Sequence, residues 1–430
     1  MIPIIVTSTI FVITLILIFS EKVNRTIVAI AGAVFMTIVG AEMGIFTQEK
    51  VTETVDFNTI GLLLGMMILV VLLEPTGFFQ YLAIYASKLS KGNPARLLII
   101  LSIVTALLSM FLDNVTSVVL IVPITILICE IMGVSTIPFL MAEAILANTG
   151  GAATMVGDPP NILIASGAGL NFNDFLIHSL PIVFLVMGAV LLFLLRYFKT
   201  ELEQTVEVNL EALNQLNPLE ALKDKKTSIQ VLLIIGVAIL GFLLEEFHHF
   251  KPSTVALTAA SLGLLIIRPD IKEVFKLISW DILIFFSSLF IMVGVMESAG
   301  VLQLLADVLI LGIGIHPVLY GLVLLWIVAI LAALIDNVPL TIALIPVIHS
   351  LAHCGIGVNH LWWALVFGAG FGGNGTILGS SANIVVVSLS EKTRTPITPL
   401  IWNRVGISVM FIACSIASVL YVLVYFTYGF

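Results

Sequence analysis

Apolar runs of about the length needed to cross a bilayer, roughly 20 helical residues each, alternate with short polar interruptions along the whole chain. Ten such runs are legible, at about 2–20, 26–41, 58–87, 138–166, 177–197, 229–246, 252–267, 280–311, 360–390 and 404–428. Two further apolar stretches, about 97–133 and 317–355, are each interrupted midway by Asp-Asn. An acid and an amide in the middle of an apolar run mark a turn, so these two read as re-entrant hairpins that return to the side they entered. The pattern predicts an all-α polytopic membrane protein with ten transmembrane helices and two hairpins.

The basic residues test that threading, because short cytoplasmic loops collect Lys and Arg. With both termini outside, Lys50 and Lys251 are the two of the 18 basic residues that fall outside. Making either hairpin a full crossing would reverse every later loop and destroy the bias. Multi-pass insertion in the cell (plasma) membrane is the expected location. The first segment, Ile2 to Phe19, lacks a charged leading region and a small-residue cleavage site, and is expected to stay as an uncleaved helix.

Composition agrees: 60% of residues are hydrophobic and 10% charged, where soluble domains carry about 25% charged residues. The net charge of −8 and the scattered basic residues leave no cationic stripe for nucleic acid. Cys129, Cys354 and Cys414 are odd in number and far apart in apolar surroundings, so neither a disulfide framework nor a structural metal site is expected. The seven histidines show no ligand spacing and read as separate interfacial residues. Residues 200–228 form the one long polar stretch. Leu202, Val206, Leu210 and Leu213 recur there at helical spacing, and Asn217-Pro218 has the form of a helix start. It reads as a cytoplasmic amphipathic linker.

The chain also repeats itself. A shift of 223 residues places Glu74-x-x-Gly77 on Glu297-x-x-Gly300, Asp113-Asn114-Val115 on Asp336-Asn337-Val338, and Pro123 on Pro346. A shift of 222 places Gly150-Gly151-x-x-Thr154-x-x-Gly157-x-x-x-Asn161 on Gly372-Gly373-x-x-Thr376-x-x-Gly379-x-x-x-Asn383. Polar residues and glycines carry these identities, so they are not the similarity of one leucine-rich helix to another. The repeats span 1–199 and 229–430. Each holds five crossings and a hairpin, an odd number that inserts the second upside down. Inverted repeats with interrupted helices at matching positions are an architecture by which secondary transporters place a site near the bilayer midplane.

Both broken helices follow from composition. Asn148 to Asn161, within 138–166, contains glycines and prolines that cost about 1 and about 3 kcal/mol apiece in a continuous helix. The matching break lies within 360–390. Broken backbone at membrane depth survives only where protein buries it or a wet cavity adjoins it, and its freed polar groups become ion ligands. The candidate ion- or substrate-binding residues are Asn148, Thr149, Thr154, Asp158 and Asn161 in the first break, and Asn374, Thr376, Ser380, Ser381 and Asn383 in the second. Asp113, Asn114 and Thr116 at the first hairpin tip are expected to face the first break, and Asp336 and Asn337 the second. Oxygen groups of this kind suit Na⁺, and a desolvated carboxylate can hold a proton. Glu74, Glu143 and Glu297 are candidate coupling acids, each equally able to cap a helix or pair with a loop cation. Asp158 aligns with Ser380, so the first half carries an extra acid and is the first place to put a coupling ion.

The stretches FLDNVTSVVLIVPITI, AEAILANTGGAATMVGDPPNILIAS, IDNVPLTIALIPVI and FGAGFGGNGTILGSSANIVV resemble the ion transporter superfamily, in particular the arsenite-pump and NhaD-type permeases and most closely their melanosomal P-protein branch. That resemblance covers essentially the whole membrane region. It implies a homodimer whose scaffold helices stand still while a domain of hairpins and broken helices moves as an elevator. The dicarboxylate and citrate carriers of that superfamily have Ser-Asn-Thr at the tips, where this chain has Asp113-Asn114-Val115 and Asp336-Asn337-Val338. Two fixed acids repel a dianion by several kcal/mol unless cations neutralise them, which turns the expectation away from citrate and succinate. Na⁺- or H⁺-coupled secondary transport, with Na⁺/H⁺ antiport ahead of an arsenite or small organic-anion permease, is the expected function, and an ion channel is the rival class. No Walker, HExxH or GxSxG motif is present, so no enzymatic activity and no cofactor besides a coupling ion are expected.

Overall fold

The computed structural model describes residues 2–19, 22–203, 216–301, 316–353, 356–427 and 429, and these form helices joined by short turns. In chain order the principal helices are α1 Ile2–Phe19, α2 Arg25–Glu42, α3 Gln48–Thr54, α4 Phe57–Leu73, α5 Phe78–Ser90, α6 Pro94–Ser109, α7 Asn114–Met132, α8 Ile137–Gly151, α9 Pro159–Ala168 and α10 Leu180–Tyr197. The second half supplies α11 Lys225–Leu243, α12 Pro252–Ile267, α13 Ile271–Leu277, α14 Trp280–Ser298, α15 Pro317–Leu334, α16 Asn337–His353, α17 Asn359–Gly372, α18 Ser381–Ser390 and α19 Pro399–Thr427. Among the described residues, eight helices are long and apolar enough to cross a membrane. They include α7 and α15, which the hairpin reading makes arms that turn back.

The halves repeat element by element: α3 and α13, α4 and α14, α6 and α15, α7 and α16, and α9 and α18 each begin at positions related by the sequence shift. The same hydrogen bonds recur too. Asn161 Nδ2 donates to the carbonyls of Gly151 (3.0 Å) and Thr154 (2.8 Å), and Asn383 Nδ2 to those of Gly373 (2.8 Å) and Thr376 (2.9 Å). The Thr154 hydroxyl bonds the Met110 carbonyl, and the Thr376 hydroxyl that of Ala333. In each half, then, one asparagine satisfies carbonyls that the interrupted helix frees, and one threonine ties the break to the end of the helix before the hairpin tip. The fold is all-helical and carries one local architecture twice, once in each half.

Packing divides the helices into two groups. In the first, α2 lies on α1 and α14, α4 on α12, and α11 on α12 and α4. In the second, α6 lies on α8, α15 on α17, α7 on α8 and α18, α16 on α9 and α17, and α10 on α8 and α19. Close approach within each group rests on small residues, since apolar burial gives helices in lipid little reason to associate and backbone proximity must supply the contact. A Cβ on Gly65 of α4 would lie 2.6 Å from the Ala256 backbone of α12, and one on Gly372 of α17 would lie 2.5 Å from the Ala329 backbone of α15. The groups meet where α14 runs along α16 and α4 along α9.

The expected single crossing at 58–87 is two helices. α4 stops at Leu73, a 3₁₀ turn covers Glu74–Thr76, and Gly77 at φ +80° starts α5. Pro75 has no N–H to continue the ladder, and only glycine enters that left-handed turn without strain. Gly300 repeats the turn at φ +82° after α14, which ends at Ser298 rather than continuing toward 311, although 302–315 lies outside the described residues. In the linker, Asn217 caps a short helix, Pro218–Ala221, as expected. Val206, Leu210 and Leu213 lie outside the described residues. Cys129 and Cys414 are buried free thiols, and Cys354 lies outside the described residues.

Candidate functional site

Both helix breaks come from residues that cannot sustain a helix. α8 runs out through Gly150 and Gly151, and α9 starts at Pro159 with Asp158 in extended geometry at its N-cap position. α17 ends at Gly372, and Ser380 caps α18 in the same geometry. At the hairpin tips, Asp113 caps α7 by accepting from the Thr116 backbone N–H (3.0 Å) and hydroxyl (2.9 Å), which leaves Thr116 occupied with the cap. Asp336 accepts from the Val338 N–H at 3.0 Å.

Asn148 is the hub where the halves join. Its Nδ2 donates to Asn374 Oδ1 (3.0 Å) and Asn383 Oδ1 (2.8 Å), and its Oδ1 accepts from Asn114 Nδ2 (3.1 Å) and Ser380 Oγ (3.0 Å). Those four bonds fill the capacity of a side-chain amide. Asn374 Nδ2 returns a bond to Thr149 Oγ1 at 3.2 Å. Asn148, Thr149, Thr154, Asn161, Asn374, Thr376 and Asn383 are thus engaged in holding the two breaks together.

The acids sit on one side of this network. Asp158, 2% exposed, is approached by both tips: Asn114 Nδ2 lies 3.5 Å from its Oδ1, and Asn337 Nδ2 lies 3.4 Å from its Oδ2. Asn337, expected to face the second break, thus reaches the first, because the tips converge on one carboxylate. Asp336 stays with the second break, accepting from Ser381 Oγ at 2.9 Å. Asp113, Asp158, Asp336, Asn114, Asn337, Ser380 and Ser381 line a cavity of about 40 Å³ closed by Phe285 and Phe286 of α14.

One residue in that wall was read from sequence only as a cytoplasmic loop charge. Arg25, the first residue of α2, bonds Asp336 Oδ2 (3.0 Å) and Ser381 Oγ (2.8 Å) through Nη1, with its guanidinium 5.4 Å from the centre of the Phe285 ring. Position 248, related to 25 by the repeat, is histidine, so the internal repeat gives no signal that would single Arg25 out.

The three glutamates do not join this cluster. Glu74 lines a separate cavity of about 210 Å³ that reaches Asp113, and Glu297 a hollow of about 330 Å³ at the far end of α14. Glu143 is 0% exposed on α8, with Thr125 Oγ1 donating to its Oε1 at 2.6 Å and its Oε2 without a hydrogen-bond partner among the described residues. It lies five residues, about 7.5 Å of helix, from Asn148.

Comparison with known proteins bears on what this arrangement belongs to. The chain is 38% identical over 421 residues to the 46 kDa membrane protein of Mycobacterium leprae, covering 96% of this chain and 97% of that one. It is 31% identical to the P protein of Homo sapiens, covering 93% of this chain and 57% of that one. Its fold is similar to the crystal structure of the Alcanivorax borkumensis YdaH transporter, described as having an unusual topology, with a TM-score of 0.62 at 18% identity, over 99% of both chains. Residues 15–368 match the model of the CitMHS family, described as citrate transporter. With that match over most of its length and an all-helical transporter fold, the chain is a membrane transporter and belongs to the CitMHS family of the ion transporter superfamily.

Proposed function

We propose that the chain is a secondary transporter that couples substrate movement to Na⁺ or H⁺, with Na⁺/H⁺ antiport as the leading form. One observation carries this reading: three carboxylates, Asp113, Asp158 and Asp336, line a single small cavity that holds one fixed cation, Arg25. With all three ionised the cluster is two positive charges short of neutrality, and burying such charge is costly unless a cation or a proton joins it. Asp158 is the coupling carboxylate, since both tip asparagines aim donors at it and no basic group bonds it among the described residues. Asp113, Asn114, Asn337, Ser380 and Asp336 supply the remaining oxygens.

The movement is of elevator type. The cavity lies against the first two turns of α14 and the first residue of α2, the ends that the charge bias places at the cytoplasm, so this arrangement corresponds to an inward-directed state. The group of α5–α10 and α15–α19 carries the tips and breaks past the group of α1–α4 and α11–α14. The apolar hollow of about 610 Å³ lined by α2, α4 and α14 supports a homodimer in the plasma membrane, assembled through the stationary group.

The family description favours a second reading, a small organic anion such as citrate. Each pairing of a carboxylate on the anion with one on the protein costs roughly 3 kcal/mol at about 5 Å and an effective dielectric of about 20. An anion therefore enters only with cations, and the coupling site stays the same. Solid-supported-membrane electrophysiology on the purified protein separates the readings. Saturable currents on Na⁺ or pH jumps without carboxylate support antiport, currents that require citrate support the second reading, and linear, non-saturating flux would refute both in favour of a channel.

A further inference from the structure

Arg25 and Asp336 belong to different packing groups. Arg25 begins α2, whose first turn is fixed by the Asn24 cap, with Asn24 Oδ1 accepting from the Thr26 N–H at 2.9 Å, and by the bond from Thr26 Oγ1 to the Asp281 carbonyl of α14 at 3.2 Å. Its guanidinium lies against Phe285, also on α14. Asp336 and Ser381, which it holds, sit at the second hairpin tip and at the start of α18. The side chains of the ion pair are 36% and 17% exposed, and a cavity of about 340 Å³ lined by Arg25, Asp336 and Ser381 opens beside them. The pair is therefore not sealed by protein, which leaves its bond open to competition.

Asp336 Oδ2 and Ser381 Oγ are two hard oxygens that meet on one guanidinium nitrogen. A small monovalent cation would seek the same two oxygens. The first half has no counterpart: Pro159 stands where Ser381 does, and Asp113 is held by Thr116.

We propose that Arg25 is a tethered counter-cation: planted on α2 and α14, it occupies the place beside Asp336 and Ser381 that a transported cation takes, and it latches the second hairpin tip to the stationary group until that cation displaces it. This rests on the cation-coupled reading above. Arg25 is a positioning residue in this scheme, acting through Asp336. In its absence the tip is held less tightly and the two oxygens are free.

The test compares wild type, Arg25→Gln and Arg25→Lys, purified in detergent, by hydrogen–deuterium exchange over residues 335–342 and by ²²Na⁺ binding. Arg25→Gln is expected to exchange faster at the tip and to bind Na⁺ about tenfold more tightly, the scale of one charge-assisted hydrogen bond removed from competition. Arg25→Lys, which keeps a cation on a shorter reach, is expected to restore slow exchange at least in part. Unchanged exchange and unchanged Na⁺ affinity in Arg25→Gln would overturn the latch while leaving cation coupling standing. No Na⁺ binding by any of the three proteins would instead overturn sodium coupling and the counter-cation role together, and tip exchange would then decide whether Arg25 latches the tip.

Discussion

Replacing Asn383 and Asn161 by alanine tests the claim that one asparagine in each half closes the broken helix. Asn383→Ala removes two donations, to the buried carbonyl of Gly373 and the half-buried carbonyl of Thr376, at 2.8 and 2.9 Å. The Gly373 carbonyl left without a partner costs about 1–3 kcal/mol, and the Thr376 carbonyl, which keeps the Gly379 N–H at 3.3 Å, loses about 1 kcal/mol, so the pair costs roughly 2–4 kcal/mol. Asn161→Ala removes the matching bonds to Gly151 and Thr154 and should cost a similar amount. The two are not equivalent in bonding, because Asn383 Oδ1 also accepts from Asn148 Nδ2 at 2.8 Å. Losing that acceptor adds about 1 kcal/mol, which offsets the bond from Gly379 that Thr376 keeps, so the two variants are expected to be about equally damaging. Thermal unfolding in detergent, followed by tryptophan fluorescence, should show both melting points lowered by several degrees, and by comparable amounts. The near-isosteric Asn383→Asp should behave like the alanine variant, since a carboxylate cannot donate. A melting point within a degree of wild type for both alanine variants would refute the assignment of these residues as structural ties.

Three further expectations follow from the same geometry. Asp158→Asn keeps the shape of the side chain but removes the buried charge, so Na⁺- or pH-driven currents should be lost while size-exclusion behaviour is unchanged; wild-type ion dependence would remove Asp158 from the coupling role. Gly157→Ala and Gly379→Ala each place a Cβ within 2.6–2.7 Å of two backbone carbonyl oxygens, and both are expected to lower the folded yield in detergent extraction, by a comparable factor. Asp224 caps α11 outside the membrane, and the bonds from the Thr227 hydroxyl and N–H hold its carboxyl below the usual range. Its contribution is therefore present above the ordinary carboxylate pKa and lost as pH falls through the lowered one, so hydrogen exchange at residues 225–228 should rise in Asp224→Ala at neutral pH and match wild type only in strong acid.

Much of the fold was legible because glycine, proline and buried polar residues leave few alternatives in a bilayer. The span at 252–267 has those limits in the structure, and both breaks fall where Gly150-Gly151 and Gly372-Gly373 predict them. The crossing at 58–87 was overextended because apolar content hides a turn, although Pro75 and Gly77 marked it. The site was legible in residue type but not in direction. Sequence shows that Asn161 and Asn383 are polar groups at a break, and both suit an ion shell. The distances show their amide nitrogens spent on backbone carbonyls. Arg25 was missed for the converse reason: a basic residue at a helix start is accounted for by the loop-charge bias, and nothing local indicates that it reaches a tip more than 300 residues away.

The asymmetry between the halves gives the arrangement its direction. Two copies of one backbone motif bring four polar segments to a common point, and repetition alone would make the two breaks equivalent. The side chains that differ fall at the positions nearest the cavity: Asp158 against Ser380, Pro159 against Ser381, and an arginine that reaches only the second tip. Asp336 is therefore already neutralised by a charge carried on the protein, while Asp158 is held between two neutral amides. On the cation-coupled reading proposed above, a free cation would gain most at the first break, where no protein charge competes, and would have to displace Arg25 at the second. That ordering, first break before second, would let a single ion bind without releasing the tip, and would make release depend on a second cation or proton.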